Sequence, residues 1–236
     1  MILAGGLGTR ISEETTDKPK PMVPIANKPM LWHIMNIYAL QGFNEFIVAT
    51  GYKGEVISKW IDSLETSWNI IPVDTGLETQ TGGRIKKCME LHPGERVFAT
   101  YGDGLANINL MNLLTFHKSH GKLATLTAVR PPARFGYLAV ESGKVLKFGE
   151  KNQSASGWIN GGFFVLEPGV STLIKSFDEP LETGALPRLV TQDSLMAYKH
   201  EGFWQPMDTL REKEDLSNLA TLDSPCLLYT SDAADE

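Results

Sequence analysis

The first residues that could do chemistry lie in a glycine-rich run at the start of the chain, Leu3-Ala-Gly-Gly-Leu-Gly-Thr-Arg10. Its three glycines follow a short apolar run of strand type, and without Cβ atoms their backbone N–H groups can approach phosphate oxygens closely. No Gly-Lys-Ser/Thr follows, so the run is not a Walker A loop, and its Gly6-x-Gly8 spacing fits a dinucleotide fingerprint poorly. The run therefore predicts either a phosphate-binding turn of another class or a purely structural turn.

Two basic residues near the glycines favour phosphate binding. Arg10 ends the run, and Lys20 lies in Lys18-Pro-Lys-Pro21. Because the prolines restrict the backbone, Lys20 is expected on a stiff, extended segment. The alternative is a solvated basic loop.

The overall charge argues that any anionic ligand is held by a local arrangement. Lys and Arg total 22 against 28 Asp and Glu, a formal net charge of −6, whereas general nucleic-acid or membrane-surface binders carry the opposite sign. No apolar stretch approaches the roughly 20 residues that span a bilayer, and Met1-Ile-Leu-Ala-Gly-Gly6 lacks the features of a secretory signal. Cys88 and Cys226 have no metal-like spacing, so we expect reduced thiols in a cytoplasmic protein with no nucleic-acid or membrane partner.

The first half of the chain alternates between strand and helix patterns. Apolar runs predict strands at 2–4, 45–50, 70–73 and 97–101, and helical periodicity predicts helices at 29–41, 55–64, 84–91 and 110–117. Asn27 is placed to cap the first of these helices. The alternation predicts a doubly wound, mostly parallel α/β sheet with its ligand crevice beyond the carboxyl ends of the strands.

The second half changes to short β runs separated by glycines. Strands are predicted at 125–129, 137–140, 145–148 and 163–166. We predict a smaller, mixed-β part that carries a second substrate. Residues 1–223 then form one domain with halves at 1–122 and 123–223, followed by an irregular tail at 224–236.

Taken together, these motifs resemble those of the nucleoside-diphosphate-sugar pyrophosphorylases. Residues 1–29 resemble that family's signature segment, and Tyr101-Gly-Asp-Gly104 resembles its metal-binding strand end. The resemblance runs in the expected order to about Asp223, through the segments Arg134–Tyr137, Glu150–Lys151, Trp158–Phe164 and Gly202–Asp208. Within the family, Thr81-Gly-Gly-Arg84 and the last of these segments are most similar to the glucose-1-phosphate cytidylyltransferases.

The resemblance implies a Rossmann-like fold in which Asp103 and Asp208 coordinate one Mg²⁺. Hard carboxylate oxygens suit this ion, which takes one or two carboxylates together with phosphate oxygens and water. Alternatively, Asp103 belongs to a turn, and Asp208 caps a helix beginning at Thr209.

The implied reaction is attack by a sugar-phosphate oxygen on the α-phosphorus of a nucleotide, with release of pyrophosphate. A phosphate monoester has a second pKa of about 6, so this nucleophile is already ionised and needs no general base. Catalysis then depends on positioning and charge. We expect Arg10 to bind the β- and γ-phosphates, and Lys20 to bind the α-phosphate and the incoming phosphate.

The resemblance also implies the residues that contact each substrate. The matching nucleotide positions are Leu3, Ala4, Gly5, Gly6, Gly8, Thr9, Arg10, Thr81, Gly82, Arg84 and Gly102. The matching sugar-phosphate positions are Gly136, Glu150, Lys151, Asn160 and Gly161. We hypothesise that Arg84 donates to O2 and N3 of cytosine, which would disfavour uracil and thymine; alternatively it is a surface helix residue.

The implied partners are CTP and glucose 1-phosphate, in the supply of surface-polysaccharide sugars by a homo-oligomer. Two rivals remain: the same chemistry with dTTP or UTP, and a non-catalytic sugar-nucleotide-binding module. His117 and His120 have an i, i+3 spacing seen in metal sites, but they precede Gly121 near a helix end, where imidazoles complement the helix dipole. We predict no second metal site there.

Overall fold

The structure, a computed structural model, describes residues 1–131, 137–149 and 157–221. In these ranges the strands are β1 (Ile2–Leu3), β2 (Pro24–Ile25), β3 (Lys28–Pro29), β4 (Glu45–Thr50), β5 (Asn69–Asp74), β6 (Val97–Tyr101), β7 (Gly104–Ala106), β8 (Ala124–Val129), β9 (Tyr137–Glu141), β10 (Lys144–Gly149), β11 (Ile159–Leu166), β12 (Leu195–His200) and β13 (Trp204–Pro206). The helices are α1 (Ser12–Thr15), α2 (Met30–Ala39), α3 (Gly54–Asp62), α4 (Thr81–Leu91), α5 (Leu110–His120), α6 (Val170–Leu173), α7 (Ala185–Thr191) and α8 (Leu210–Ala220).

A central sheet joins seven of the described strands in the order β12-β8-β11-β6-β1-β4-β5. The short strand β1 lies between β4 and β6 and pairs in parallel with both. β5 and β12 also run parallel to their neighbours, whereas β11 is antiparallel to both β6 and β8. The predicted mostly parallel α/β sheet is therefore confirmed.

The core lies on both faces of this sheet, as a doubly wound fold requires. Successive side chains of a strand point to opposite faces, so Phe163 and Phe164 of β11 enter two different clusters. Phe163 packs in the cluster that contains Met30 and Ile34 of α2. Phe164 packs in the cluster that contains Ile85 of α4. Burial of each phenyl ring contributes about 2–3 kcal/mol.

The second half contributes strands to the same sheet. β8, β11 and β12 extend it beyond β6, and β9 and β10 form a separate antiparallel hairpin. The strands after residue 124 are thus partly continuous with the first half, and the division at residue 122 stays a prediction. The tail at 224–236 lies outside the described residues.

The predicted cap of α2 by Asn27 is wrong. Residues 24–29 form a small antiparallel hairpin between β2 and β3, which places Asn27 in its turn. The residue preceding α2 is Pro29, which makes no side-chain capping bond. Among the described helices, none is long and apolar enough to cross a membrane.

Candidate active site

A cavity of about 700 Å³ opens at the edge of the sheet where β1 and β6 end. This is the edge at which a doubly wound sheet is expected to bind its ligand. The predicted site residues that line it are Leu3, Ala4, Gly5, Gly6, Gly8, Thr9, Arg10, Lys20, Thr81, Arg84, Gly102, Asp103, Asn160 and Asp208. Another cavity of about 710 Å³, at the amino ends of β4 and β6, is lined largely by apolar residues such as Phe43 and Phe98.

The remaining predicted residues are not on the cavity wall or are not described. Gly82 is buried at the start of α4, where an added methyl group would lie 2.6 Å from the Glu179 carbonyl oxygen. The carbonyl of Gly161 accepts a hydrogen bond from the indole nitrogen of Trp204 (2.8 Å). The predicted sugar-phosphate residues Gly136, Glu150 and Lys151 lie outside the described residues.

The glycine-rich run folds as a tight turn that presents Arg10. Gly8 has φ +65°, which glycine adopts without steric cost, and its carbonyl accepts a hydrogen bond from Ile11 N (3.2 Å). Ile11 is buried, whereas the Arg10 side chain is 71% exposed. The turn therefore fixes the backbone and places the largely exposed Arg10 guanidinium on the wall of the cavity.

Lys20 is held more tightly than Arg10. It begins a short 3₁₀ turn in which Met22 N donates to Pro19 O (2.8 Å) and Val23 N donates to Lys20 O (3.1 Å). The residue is only 7% exposed. The expected stiff segment is thus present as a proline-flanked turn, and the alternative of a solvated loop is wrong for Lys20.

The Lys20 ammonium lies between two carboxylates. Its Nζ atom is 2.7 Å from Asp103 Oδ2 and 2.6 Å from Asp208 Oδ1. The other oxygen of Asp208 accepts a hydrogen bond from Arg10 (2.5 Å). Two cations from the N-terminal segment and two anions from distant parts of the sequence therefore form one cluster, here called the cleft cluster (Arg10, Lys20, Asp103 and Asp208).

The pairing of β7 with β13 brings the two aspartates together. Pro206 pairs with Gly104, and Met207 N donates to Asp103 O (2.8 Å). Asp103 does lie in the turn between β6 and β7, but its carboxylate is engaged by Lys20. The alternative role of Asp208 as a helix cap is wrong, because Thr209 caps α8 in a capping box.

Asp103 and Asp208 are the residues that could hold a divalent cation. Their carboxylates converge on a single cationic atom, so both can reach one ion at the same place. Two carboxylates, with further oxygens from phosphate and water, are the ligand set that Mg²⁺ takes in nucleotide sites. In the described part of the chain no group of three or more His, Cys, Asp or Glu residues could hold a metal by itself.

Arg84 is buried behind the glycine-rich turn. The residue is 4% exposed, and its terminal nitrogens donate to the carbonyls of Gly5, Thr50 and Gly76, each at 2.9 Å. Burial lowers the pKa of Arg84, an effect that the charge of Asp74 partly opposes. The alternative of a surface helix residue is therefore wrong.

These contacts also change the interpretation of Arg84 in base recognition. An added methyl group at Gly5 would lie 2.2 Å from Arg84 Nη1, so the guanidinium packs directly under the turn. Its terminal nitrogens are already bonded to backbone carbonyls, and a direct contact to the base would require exchange of those bonds. Recognition of the base by Arg84 stays a prediction. The contacts that the structure describes give Arg84 a structural role, in which it holds the backbone of the glycine-rich turn.

Sequence reasoning missed several side chains on the cavity wall, among them the two polar residues Tyr101 and Glu182. Tyr101 OH donates to Glu182 Oε1 and accepts a hydrogen bond from Asn160 Nδ2 (3.1 Å). Burial raises the pKa of Tyr101, and the negative charge of Glu182 raises it further. Glu182 also accepts from Thr81 Oγ1 (2.7 Å), 101 residues away in the sequence. A single acidic residue in a loop gives no sequence signal for such contacts.

The sheet and the cavity at the carboxyl ends of its strands define a Rossmann-like α/β fold, and comparison with known proteins gives its family. The sequence profile of the nucleotidyl transferase family matches residues 1–209. The chain belongs to the nucleotidyl transferase family.

Individual relatives and solved structures show which members of the family the chain is similar to. The chain is 46% identical to a glucose-1-phosphate cytidylyltransferase from Salmonella typhi, over 93% of this chain and 94% of that protein. It is 32% identical to the mannose-1-phosphate guanylyltransferase catalytic subunit beta from Dictyostelium discoideum, over 93% of this chain and 63% of that protein. The crystal structure of HddC from Yersinia pseudotuberculosis superposes with a TM-score of 0.71 at 22% identity, over 92% of this chain and 96% of that one.

Proposed function

We propose that the protein transfers a cytidylyl group from CTP to α-D-glucose 1-phosphate, forming CDP-glucose and pyrophosphate with the help of Mg²⁺. The observation that carries this proposal is the cleft cluster at the carboxyl edge of the sheet. The nucleotide and sugar are proposed from the 46% identity to the Salmonella enzyme over almost the whole of both chains.

In the proposed reaction an oxygen of the sugar phosphate attacks the α-phosphorus of the nucleotide. A new P–O bond forms, the bond between the α-phosphorus and the β-bridging oxygen breaks, and pyrophosphate leaves with the electron pair. The attacking phosphate is already ionised at neutral pH, since its second pKa is about 6. The protein therefore has to bring polyanions together and stabilise charge, which is positioning and electrostatic catalysis.

Lys20 and Arg10 supply the cations for this task. Lys20 is nearly buried, so its ammonium would interact with the α-phosphate and the incoming phosphate more strongly than in bulk water. Arg10 is largely exposed and can follow the β- and γ-phosphates into the pyrophosphate product. We infer that both side chains exchange their carboxylate partners for phosphate oxygens when substrates bind.

Asp103 and Asp208 would hold the metal. When bound, Mg²⁺ would supply positive charge to the phosphate oxygens. Its binding would also give the two carboxylates a new counter-ion, so that Lys20 could leave them without exposing uncompensated negative charge. The two carboxylates fit this role because they already converge on one cation.

The walls of the cavity divide the substrates. We propose that the glycine-rich turn and Thr81 lie on the nucleotide side, and Asn160 on the sugar side, where Gly136, Glu150 and Lys151 are also predicted. Four further expectations stay predictions: assembly as a homo-oligomer, a cytoplasmic location, a role in surface-polysaccharide supply, and the absence of nucleic-acid and membrane partners.

The proposal is tested by pyrophosphate release from glucose 1-phosphate and Mg²⁺ with CTP, UTP, dTTP and ATP in parallel. We expect strong release with CTP. Release with another nucleotide alone would overturn the choice of base and favour the dTTP or UTP alternative. Binding of CDP-glucose by a folded protein that releases no pyrophosphate with any nucleotide or hexose 1-phosphate would favour the non-catalytic module instead.

A further inference from the structure

Glu182 connects two walls of the active-site cavity. Its Oε2 atom accepts a hydrogen bond from Thr81 Oγ1 (2.7 Å) at the first residue of α4. Its Oε1 atom accepts a hydrogen bond from Tyr101 OH at the last residue of β6. Each carboxylate oxygen thus holds a hydroxyl group on a different element.

The connection continues from Tyr101 to Asn160. Because the Tyr101 proton is donated to Glu182, the phenolic oxygen accepts from Asn160 Nδ2 (3.1 Å). The amide oxygen of Asn160 accepts from Gly162 N (3.0 Å). The orientation of the Asn160 amide is therefore determined at both ends, and one of those ends depends on Glu182.

The loop that carries Glu182 is fixed by its backbone. Leu181 N donates to Thr81 Oγ1 (2.9 Å), and Gln80 N donates to Phe177 O (3.0 Å). Glu179, in the same loop, forms a two-point ion pair with Arg188 of α7, at 2.5 and 2.9 Å. A rigid loop therefore presents an exposed side chain that nonetheless bonds the cavity wall in two places.

Electrostatics oppose a direct role for Glu182 in phosphate binding. The proposed substrates are polyanions, and a carboxylate beside a phosphate group repels it. The negative charge of Glu182 is instead suited to accepting hydrogen bonds from neutral hydroxyl groups. The neighbours it contacts are the hydroxyls of Thr81 and Tyr101, which lie on the proposed nucleotide and sugar sides.

We propose that Glu182 is a positioning residue that sets the spacing between the nucleotide wall and the sugar wall. The assignment of the walls rests on the proposed function. Transfer requires the attacking oxygen to lie close to and in line with the α-phosphorus, and a displacement of about 1 Å can cost on the order of 100-fold in rate. A single carboxylate that holds Thr81 on one wall and Tyr101 on the other controls this distance.

Single substitutions separate the two arms of this bridge. Thr81→Val removes one hydroxyl and should raise KM for the nucleotide about 3- to 10-fold, with little effect on KM for the sugar phosphate. Tyr101→Phe removes the other hydroxyl and should raise KM for the sugar phosphate about 3- to 10-fold, with little effect on KM for the nucleotide. Glu182→Ala should raise both KM values and lower kcat/KM about 10- to 100-fold, and Glu182→Gln, which keeps an acceptor oxygen, should recover part of the loss.

Double substitutions test whether Glu182 acts through these residues. Glu182→Ala added to Tyr101→Phe should raise KM for the sugar phosphate no further, and added to Thr81→Val should raise KM for the nucleotide no further. Effects that multiply in both pairs would overturn the proposal. Unchanged KM values in Glu182→Ala would overturn it as well.

A control variant and a second readout complete the experiment. Glu90→Ala removes an exposed carboxylate at the other end of α4 and should leave both KM values unchanged. The midpoint of thermal unfolding is measured for every variant, because a purely structural role of Glu182 would lower it without moving KM. The assay uses whichever nucleotide and hexose 1-phosphate the wild type turns over.

The dissociation constant of CDP-glucose gives the same test without turnover. This dissociation constant should rise in Glu182→Ala. Adding Thr81→Val or Tyr101→Phe to Glu182→Ala should raise it by less than the product of the two single effects. Failure of the wild type with CTP would thus count against the proposed function, and independent effects of the three substitutions would count against the role of Glu182.

Discussion

Two polar clusters of this protein each contain an arginine paired with a carboxylate, and they differ in what they can do. The cleft cluster contains two cations and two carboxylates at the open edge of the sheet. A second group, here called the interior cluster, contains Arg96, His117, His120, Thr125 and Glu167. Asp103 and Arg10 have side chains that are 30% and 71% exposed, whereas His117 is 1% exposed and Thr125 is fully buried.

The interior cluster is a continuous, linear chain of hydrogen bonds. His120 Nδ1 accepts from Lys122 N (3.0 Å), so a neutral His120 donates from Nε2 to Thr125 Oγ1 (2.8 Å). Thr125 can then donate to His117 Nδ1 (2.8 Å), and His117 Nε2 can donate to Glu167 Oε1 (3.0 Å). The same Glu167 oxygen accepts from Arg96 (2.6 Å).

Solvent access and exchangeable partners distinguish a ligand-binding cluster from one that only supports the fold. The interior cluster ties α5 to β8 through His117 and Thr125, which are buried. The ends of its hydrogen-bond chain, His120 and the ion pair of Arg96 with Glu167, are partly exposed. The cleft cluster consists of ion pairs in a cavity large enough for a nucleotide. Its charges can exchange one another for phosphate and metal, which is what the proposed chemistry needs.

The largest expected effect is on catalysis in the cleft cluster. Lys20→Ala should lower kcat by about 100- to 1,000-fold, because a nearly buried cation that faces developing charge contributes several kcal/mol to the transition state. The free energy of unfolding, measured in urea, should change by less than about 1 kcal/mol, since both carboxylates remain partly exposed. The control is Lys18→Ala, two residues away, and near-wild-type turnover in folded Lys20→Ala would contradict the assignment.

The opposite pattern is expected in the interior cluster. His117→Leu removes the acceptor of the buried Thr125 hydroxyl proton and one of the two donors to Glu167, which should reduce the free energy of unfolding by about 1–3 kcal/mol. Turnover per folded molecule should stay within about twofold of the wild type. Urea unfolding and pyrophosphate release check the two parts, with His92→Gln as a surface control. A loss of turnover without a loss of stability would show that the comparison is wrong.

The smallest effect concerns pH. Burial lowers the pKa of His120 below 6.5, and His117 and Lys122 lower it further. Between that lowered pKa and 6.5 the unfolded chain binds more protons than the folded one, so the stability is complete above about pH 6.5 and is lost as the pH falls through this window. We expect unfolding midpoints between pH 7 and 5 to fall less steeply in His120→Gln than in the wild type. Identical slopes would mean that His120 does not contribute.

Glu167 gives a separate signal at lower pH. Burial alone would raise the pKa of this carboxyl, but hydrogen bonds from His117 and Arg96 outweigh burial and hold the pKa below its usual value. A lowered carboxyl pKa contributes stability above the unfolded value, near 4.5, and that stability is lost as the pH falls further. The two titrations therefore lie in different pH windows.

Local features of the site were predictable because they depend on neighbouring residues. Gly8 permits a positive φ, and the prolines around Lys20 stiffen its turn. Strand and helix positions followed from apolar periodicity, since each element buries one face or both. The prediction failed at Asn27, where a short hairpin precedes the helix and tertiary packing replaces a cap.

Contacts between distant residues were not predictable in this way. Asp103 and Asp208 were paired from family resemblance, and no spacing in the sequence places them together. The burial of Arg84 depends on carbonyls from three separate segments. Glu182 is 81 and 101 residues from the two side chains it bonds.

The sequence by itself determined the alternating α/β architecture, the glycine turn and the residues that could bind phosphate, because periodicity, backbone freedom and side-chain charge are local properties. The tertiary structure decided which charges share one cavity, which arginine supports the turn and which glutamate joins the two walls. Those contacts depend on the order of strands in the sheet and on the pairing of β7 with β13. Neither the strand order nor this pairing can be deduced from the spacing of residues along the chain.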